Sequence, residues 1–161
     1  SDNLYNYRYD LRVAFMSEEE NRDSLMSKRE IKVLNNLPDK VKISPFSTER
    51  AEVYFNRGVA KAKSGDSKQA MDDYNRAISL NPIYAEAYYF RGVAKSSLGD
   101  QRNAIQDCSN AIKLNPKYAE AYYVRGIIKL ALGDSAGCLD LSKSGELGFN
   151  QAYQVIRDHC N

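Results

Sequence analysis

The side chains able to do chemistry are few. His159 is the single histidine of the 161-residue chain, and Cys108, Cys138 and Cys160 are its three cysteines. His159 and Cys160 are neighbours, but a Cys/His nucleophile pair needs the two groups to converge, whereas adjacent residues on a helix point about 100° apart. No residue that would orient the imidazole is evident beside them. The cysteines lack Cys-x-x-Cys spacing and companion histidines, so the usual structural zinc patterns are excluded. There is no Walker motif, no Gly-x-Ser-x-Gly and no His-Glu-x-x-His. No catalytic residue, metal or cofactor is expected, and the chain does not read as an enzyme.

The second set is basic. Arg57, Arg91 and Arg125, with Lys61, Lys95 and Lys129 one helical turn later, form a ladder that could meet an anionic ligand. Asp73 and Asp107 recur with it, so internal ion pairing is the expected role. Exposed pairs of this kind contribute only about 0 to 1 kcal/mol each. The net charge is +2, with basic and acidic residues interspersed, so the charged stripe expected of a nucleic-acid binder is missing. The 43% apolar content includes no run long enough to span a bilayer. Ser1-Asp2-Asn3 is not a basic flank before an apolar stretch, so no signal peptide is read, although a cleaved one would leave no trace.

The ladder belongs to a larger period. AEVYFNRGVAKAKSGD (51–66), AEAYYFRGVAKSSLGD (85–100) and AEAYYVRGIIKLALGD (119–134) align without gaps, each 34 residues after the last. Residues 85–98 carry apolar side chains at helical spacing and stop at Gly99, which suits a left-handed C-terminal turn. Asp100 is then a candidate N-cap, and Ala104, Ile105, Cys108, Ala111, Ile112 and Leu114 continue at helical spacing to Asn115-Pro116. One such helix pair cannot bury its own apolar face, so neighbouring pairs must stack.

Several positions recur together: Gly58, Gly92 and Gly126, then Ala70 and Ala104, Ala77 and Ala111, and Pro82 and Pro116. With these the chain resembles the tetratricopeptide repeat, of the bacterial-type variety carrying Arg-Gly and Gly-Asp pairs. The resemblance implies an all-α fold, a right-handed superhelix of three repeats (51–84, 85–118 and 119–148) within a domain of residues 48–161. The third unit departs from the pattern: Cys138 and Gly145 fall at the alanine positions, and Leu147-Gly148-Phe149 replaces the closing Leu-Asn-Pro. That marks a terminal repeat, and residues 150–160 read as a capping helix.

In such folds the first helices line the concave surface. Carried over, the resemblance implies a groove of Glu52, Phe55, Asn56 and Val59; Glu86, Tyr89, Phe90 and Val93; and Glu120, Tyr123, Val124 and Ile127. It is apolar and aromatic, edged by three glutamates. The implied function is a protein–protein interaction module or scaffold taking a peptide or helix, with Tyr89 and Tyr123 among its anchors. Some relatives clamp the C-terminal carboxylate of heat-shock chaperones with Lys, Asn and Arg. Here Phe55, Val59, Phe90, Glu120 and Val124 hold those places, so that partner is disfavoured. Residues 1–50 covering the groove is the other reading of the same face.

If the capping helix turns back near Gly148, Cys138 and Cys160 fall opposite each other, as a disulfide or as two buried thiols. A bond closing that loop would contribute roughly 3 kcal/mol in the chain-entropy model. Oxidised, it implies a periplasmic or secreted protein; otherwise a cytoplasmic one is expected. Cys108 reads as a small core residue.

Residues 1–47 form an N-terminal extension. Residues 5–15 alternate as a strand would, although a helix remains open; Ser17-Glu18-Glu19-Glu20 opens a helix over 17–35, and Pro38 and Pro45 suggest an extended linker over 38–47. A structural or self-assembling protein, its N-terminal segment joining homo-oligomer subunits, is the alternative function.

Overall fold

The computed structural model describes residues 45–160. The strand expected over 5–15 and the helix over 17–35 lie outside the described residues. Seven helices follow among those described: α1 (Pro45–Lys63), α2 (Ser67–Leu80), α3 (Ala85–Ser97), α4 (Gln101–Leu114), α5 (Ala119–Ala131), α6 (Gly137–Glu146) and α7 (Gln151–His159). They pair as α1 with α2, α3 with α4 and α5 with α6, and α7 closes on α6. The extended linker expected over 38–47 does not reach residue 47. Instead α1 starts at Pro45 and Thr48 is buried inside it. Proline is favoured in the first helical turn, where its missing N–H costs nothing.

Each first helix ends on the same chemistry. Gly99 sits at φ +85°, its amide donates to the Ser96 carbonyl (3.0 Å), and the Asp100 amide donates to the Lys95 carbonyl (2.9 Å). This double bond pattern satisfies the last carbonyls of α3 and turns the chain sharply into α4. Asp66 caps α2 by accepting from the Gln69 amide (3.0 Å), but the Asp100 carboxylate takes the Asn103 side-chain amide instead (2.8 Å) and makes no backbone cap. After α2 and α4 the side-chain oxygens of Asn81 and Asn115 accept from the amides two residues on (3.3 and 3.1 Å), which sets the Asn-Pro turn.

The helices of each pair cross at a glycine. A Cβ on Gly92 would lie 3.2 Å from the Ala104 carbonyl oxygen; on Gly126 it would lie 2.9 Å from the Gly137 oxygen and 2.9 Å from Leu141 Cγ. The residue facing the third crossing is therefore Gly137, not Cys138 as a strict period of 34 requires. The second helix of repeat three is one residue out of register: Gly137, Asp140, Leu141 and Ser144 occupy the places of Ala104, Asp107, Cys108 and Ala111. The tight crossing explains the glycine, because a Cβ on Gly137 would meet the Gly126 carbonyl oxygen at 2.5 Å. Ser144 uses its new place to donate to the Ala119 carbonyl (2.8 Å).

Candidate functional site

The first helices carry two different faces. On one, Arg91 Nε and Nη2 donate to the two oxygens of Asp107 (2.8 and 2.6 Å), and Lys95 Nζ pairs with the same carboxylate (2.8 Å). Asp107 is only 2% exposed, so it is a buried anion met by two cations. The unit recurs with Arg57 and Lys61 on Asp73, and with Arg125 and Lys129 on Asp140. Hydrogen bonds from Arg57, opposed by burial and reinforced by Lys61, hold the Asp73 carboxyl below the usual range. At Asp140 burial pushes upward, but the bonds from Arg125 and Lys129 outweigh it and the carboxyl is again lowered. Each arginine also stacks over the tyrosine three residues before it, at 5.0 to 5.5 Å. Two of them reach the preceding repeat: Arg91 donates to Asn75 (2.8 Å) and Arg125 to Ser109 (3.0 Å). Every one of these contacts is internal, so the basic ladder is a packing device.

The other face carries the expected groove residues, and the structure divides them. Phe55 is 8% exposed and packs on Tyr84 (4.9 Å), Phe90 (5.4 Å) and Tyr74 (6.0 Å). It is a core residue and not an available anchor, because an aromatic at the junction of two repeats gains more from burial there than from solvent. Tyr89 and Tyr123 are half-buried and share this junction role, with Tyr89 packing on Tyr118 (4.9 Å) and Tyr123 on Phe149 (4.7 Å). Phe90, Val59, Val93, Val124 and Ile127 are half-buried, while Asn56 and Glu120 are exposed. Glu52 and Glu86 are half-buried.

Glu86 has one carboxylate oxygen covered and without a hydrogen-bond partner among the described residues. Burial raises its pKa. Burial also pushes the Tyr89 phenol up to about 12, with the charge of Glu120 adding to it. Tyr118 is raised further, by burial and then by Glu86. Two carboxylates thus lie within electrostatic reach of the Tyr89 and Tyr118 rings, which meet at a 45° tilt. Cys108 is fully buried and its thiol is raised to about 12, again by burial, which leaves it inert.

Cys138 and Cys160 are brought together and bonded, with their Cα atoms 5.8 Å apart. Among the described residues no three His, Cys, Asp or Glu side chains could hold a metal ion, and no helix is long and apolar enough to cross a membrane.

Sequence reasoning missed Tyr74, Asn75 and Ser109, and with them Asp140, Tyr84, Tyr118 and the role of Phe149. Asp140 was hidden because it follows Asp107 by 33 residues. Tyr84, Tyr118 and Phe149 were hidden because they sit in the turns between repeats. The signal was present in the repetition of Tyr84 and Tyr118 one period apart.

Known proteins share this fold. The tetratricopeptide repeat model matches residues 51–84 and 85–118. The first tetratricopeptide domain of Spaghetti, bound to an HSP90 peptide SRMEEVD, is 27% identical, with a TM-score of 0.68, over 70% of this chain and 92% of that one. The Arabidopsis OM64 TPR domain is 28% identical with a TM-score of 0.66, over 70% of this chain and 98% of its own. MamA is 30% identical with a TM-score of 0.59, over 64% and 61%. An uncharacterized protein of Methanocaldococcus jannaschii is 42% identical over 36 residues, so the matched stretch spans 22% of this chain and 42% of that relative. Residues 51–118 are therefore two tetratricopeptide repeats, and the described chain folds as a tetratricopeptide-repeat superhelix.

Proposed function

We propose that the chain is a protein–protein interaction module that takes a peptide or helix on the groove face of α1, α3 and α5. One observation carries the reading: on those helices each ladder arginine and lysine is paired within the chain, whereas Phe90, Val93, Val124 and Ile127 are only half-buried on the other face. Half-exposed apolar surface at helical spacing is what a polypeptide buries. The solved tetratricopeptide domain of Spaghetti holds a peptide, which supports the same use of this fold.

The acidic flank narrows the partner. Glu86 and Glu120 stand beside the aromatic junction of repeats two and three, so a segment presenting apolar side chains with Lys or Arg fits better than an acidic tail. The bond between Cys138 and Cys160 supports residence in an oxidising compartment, periplasmic or extracellular, and the Arg-Gly and Gly-Asp pairs support a bacterial-type origin of the repeats.

The test is selection of displayed random peptides on the full chain. Enrichment of apolar peptides with basic residues, lost when Val93 and Val124 are both changed to Glu while the melting temperature holds, is the expected result. Peptides that bind the double variant equally well would refute the groove.

A further inference from the structure

The last helix is joined to the body differently from the others. α7 enters as α3 and α5 do: the Ala152 amide donates to the Phe149 carbonyl (3.0 Å), as Ala87 does to Tyr84 and Ala121 to Tyr118 (3.1 Å each). The ring of Phe149 lies against Tyr123 as Tyr84 lies against Phe55 and Tyr118 against Tyr89. α7 thus takes the place that a first helix takes in the preceding units. In that register Ile156 stands where Arg91 and Arg125 stand, and Cys160 stands where Lys95 and Lys129 stand. The guanidinium that crosses to Asn75 or Ser109 at the earlier junctions has no counterpart on Ile156, which carries no donor. At this junction the bond between Cys138 and Cys160 ties the helices instead. Cys138 lies in the first turn of α6 and Cys160 just past the end of α7, so the bond pins the far end of the cap. At 9 residues α7 is too short to persist as a helix by itself.

We propose that the Cys138–Cys160 disulfide is a redox latch: it seats α7 on α6, holds Phe149 against Tyr123, and so sets the C-terminal end of the groove. Both cysteines are half-buried and neither lies in the closed core, so the bond is open to test with a dithiol reductant. A thiolate of the reductant attacks one sulfur, a mixed disulfide forms, and its second thiolate displaces the remaining cysteine. Two electrons and two protons pass to Cys138 and Cys160 as thiols, and the reductant leaves as its own disulfide. The Tyr153 ring lies against Gly145 and is the packing contact that the latch must hold in place, whereas the crossings at Gly58, Gly92 and Gly126 and the Asp73, Asp107 and Asp140 ion clusters lie in α1 to α6, so the body stays folded while the cap is released.

Hydrogen exchange on the full chain with and without dithiothreitol tests the latch, with alkylation reporting the redox state. Amides of α7 should exchange about tenfold or more faster after reduction, those of α3 and α4 should not change, and reoxidation should restore the cap. The C138S/C160S chain should behave as the reduced protein without any reductant. Unchanged α7 protection in fully reduced protein, protection lost together throughout α1 to α6, or a bond that resists reduction in the folded chain would each overturn the latch.

The link to the groove rests on the interaction reading and has its own measurement. A peptide selected on the oxidised chain should change affinity by at least about threefold on reduction, on the order of 0.7 kcal/mol. Unchanged affinity with a released cap would sever latch from groove. If no peptide binds at all, the groove reading fails, and the exchange data still decide the latch.

Discussion

The two faces of the first helices differ in how strictly they repeat. On the ladder face the residues are identical in every unit: Tyr54, Tyr88 and Tyr122; Arg57, Arg91 and Arg125; Gly58, Gly92 and Gly126; Lys61, Lys95 and Lys129. On the groove face Glu52, Glu86 and Glu120 repeat along one edge, but the apolar floor drifts, from Asn56 through Phe90 to Val124 and from Val59 through Val93 to Ile127. Three copies of one unit must make the same internal contacts, so identity follows the ion clusters, cation–π stacks and glycine crossings. A groove meets a partner that does not repeat every 34 residues, so its positions are free to diverge. Within a solenoid, uniformity marks packing and variation marks the surface that selects.

If that contrast is right, damage to the uniform face costs stability and damage to the variable face costs binding. The largest expected loss is Asp107→Ala, which strands Arg91 and Lys95 beside a buried site and should destabilise by about 3 kcal/mol in chemical denaturation. Gly126→Ala drives a Cβ against the Gly137 carbonyl and Leu141, and should cost about 1 to 3 kcal/mol, read as a lower denaturation midpoint at unchanged slope.

Acid probes the same clusters. Asp73 and Asp140 have lowered pKa values, so their contribution is complete above the unfolded value near about 4 and fades as pH falls through the lower folded values. The melting temperature should hold from neutral pH to about 5 and then drop. Asp140→Asn should flatten that drop, and an unaltered acid limb would contradict the assignment.

A finer comparison lies within the ladder. Arg57 is 56% exposed and pairs with Asp73, whereas Arg91 is 17% exposed and ties Asp107 to Asn75 as well. Arg91→Ala should therefore lower the denaturation midpoint visibly more than Arg57→Ala. At the smallest end, Val93→Glu on the groove face should stay within about 0.5 kcal/mol of the native stability while removing peptide binding.

The helix pairs were legible because glycine stops, Asn-Pro turns and apolar spacing all obey the 34-residue period. What broke the period was hidden. A one-residue shortening between Asp134 and Gly137 moved Asp140 out of register, so the third ion cluster could not be counted. Phe55 looked like a groove anchor because helical spacing gives the face of a residue and not its depth; Tyr84, in the turn that closes the same repeat, covers it together with Phe90 of the next. Pro45 looked like linker because proline stops a helix in most positions yet starts one readily. Cys138 and Cys160 were legible as a pair, because their placement depends only on an antiparallel turn at Gly148, where the backbone stands at φ +98°.

The most direct measurement is a residue-resolved NMR titration of the isotope-labelled full chain with a selected peptide. The account predicts saturable shift changes concentrated at Phe90, Val93, Val124 and Ile127 on α3 and α5, with α2 and α4 unaffected. Changes centred on the outward faces of α2 and α4 would contradict it.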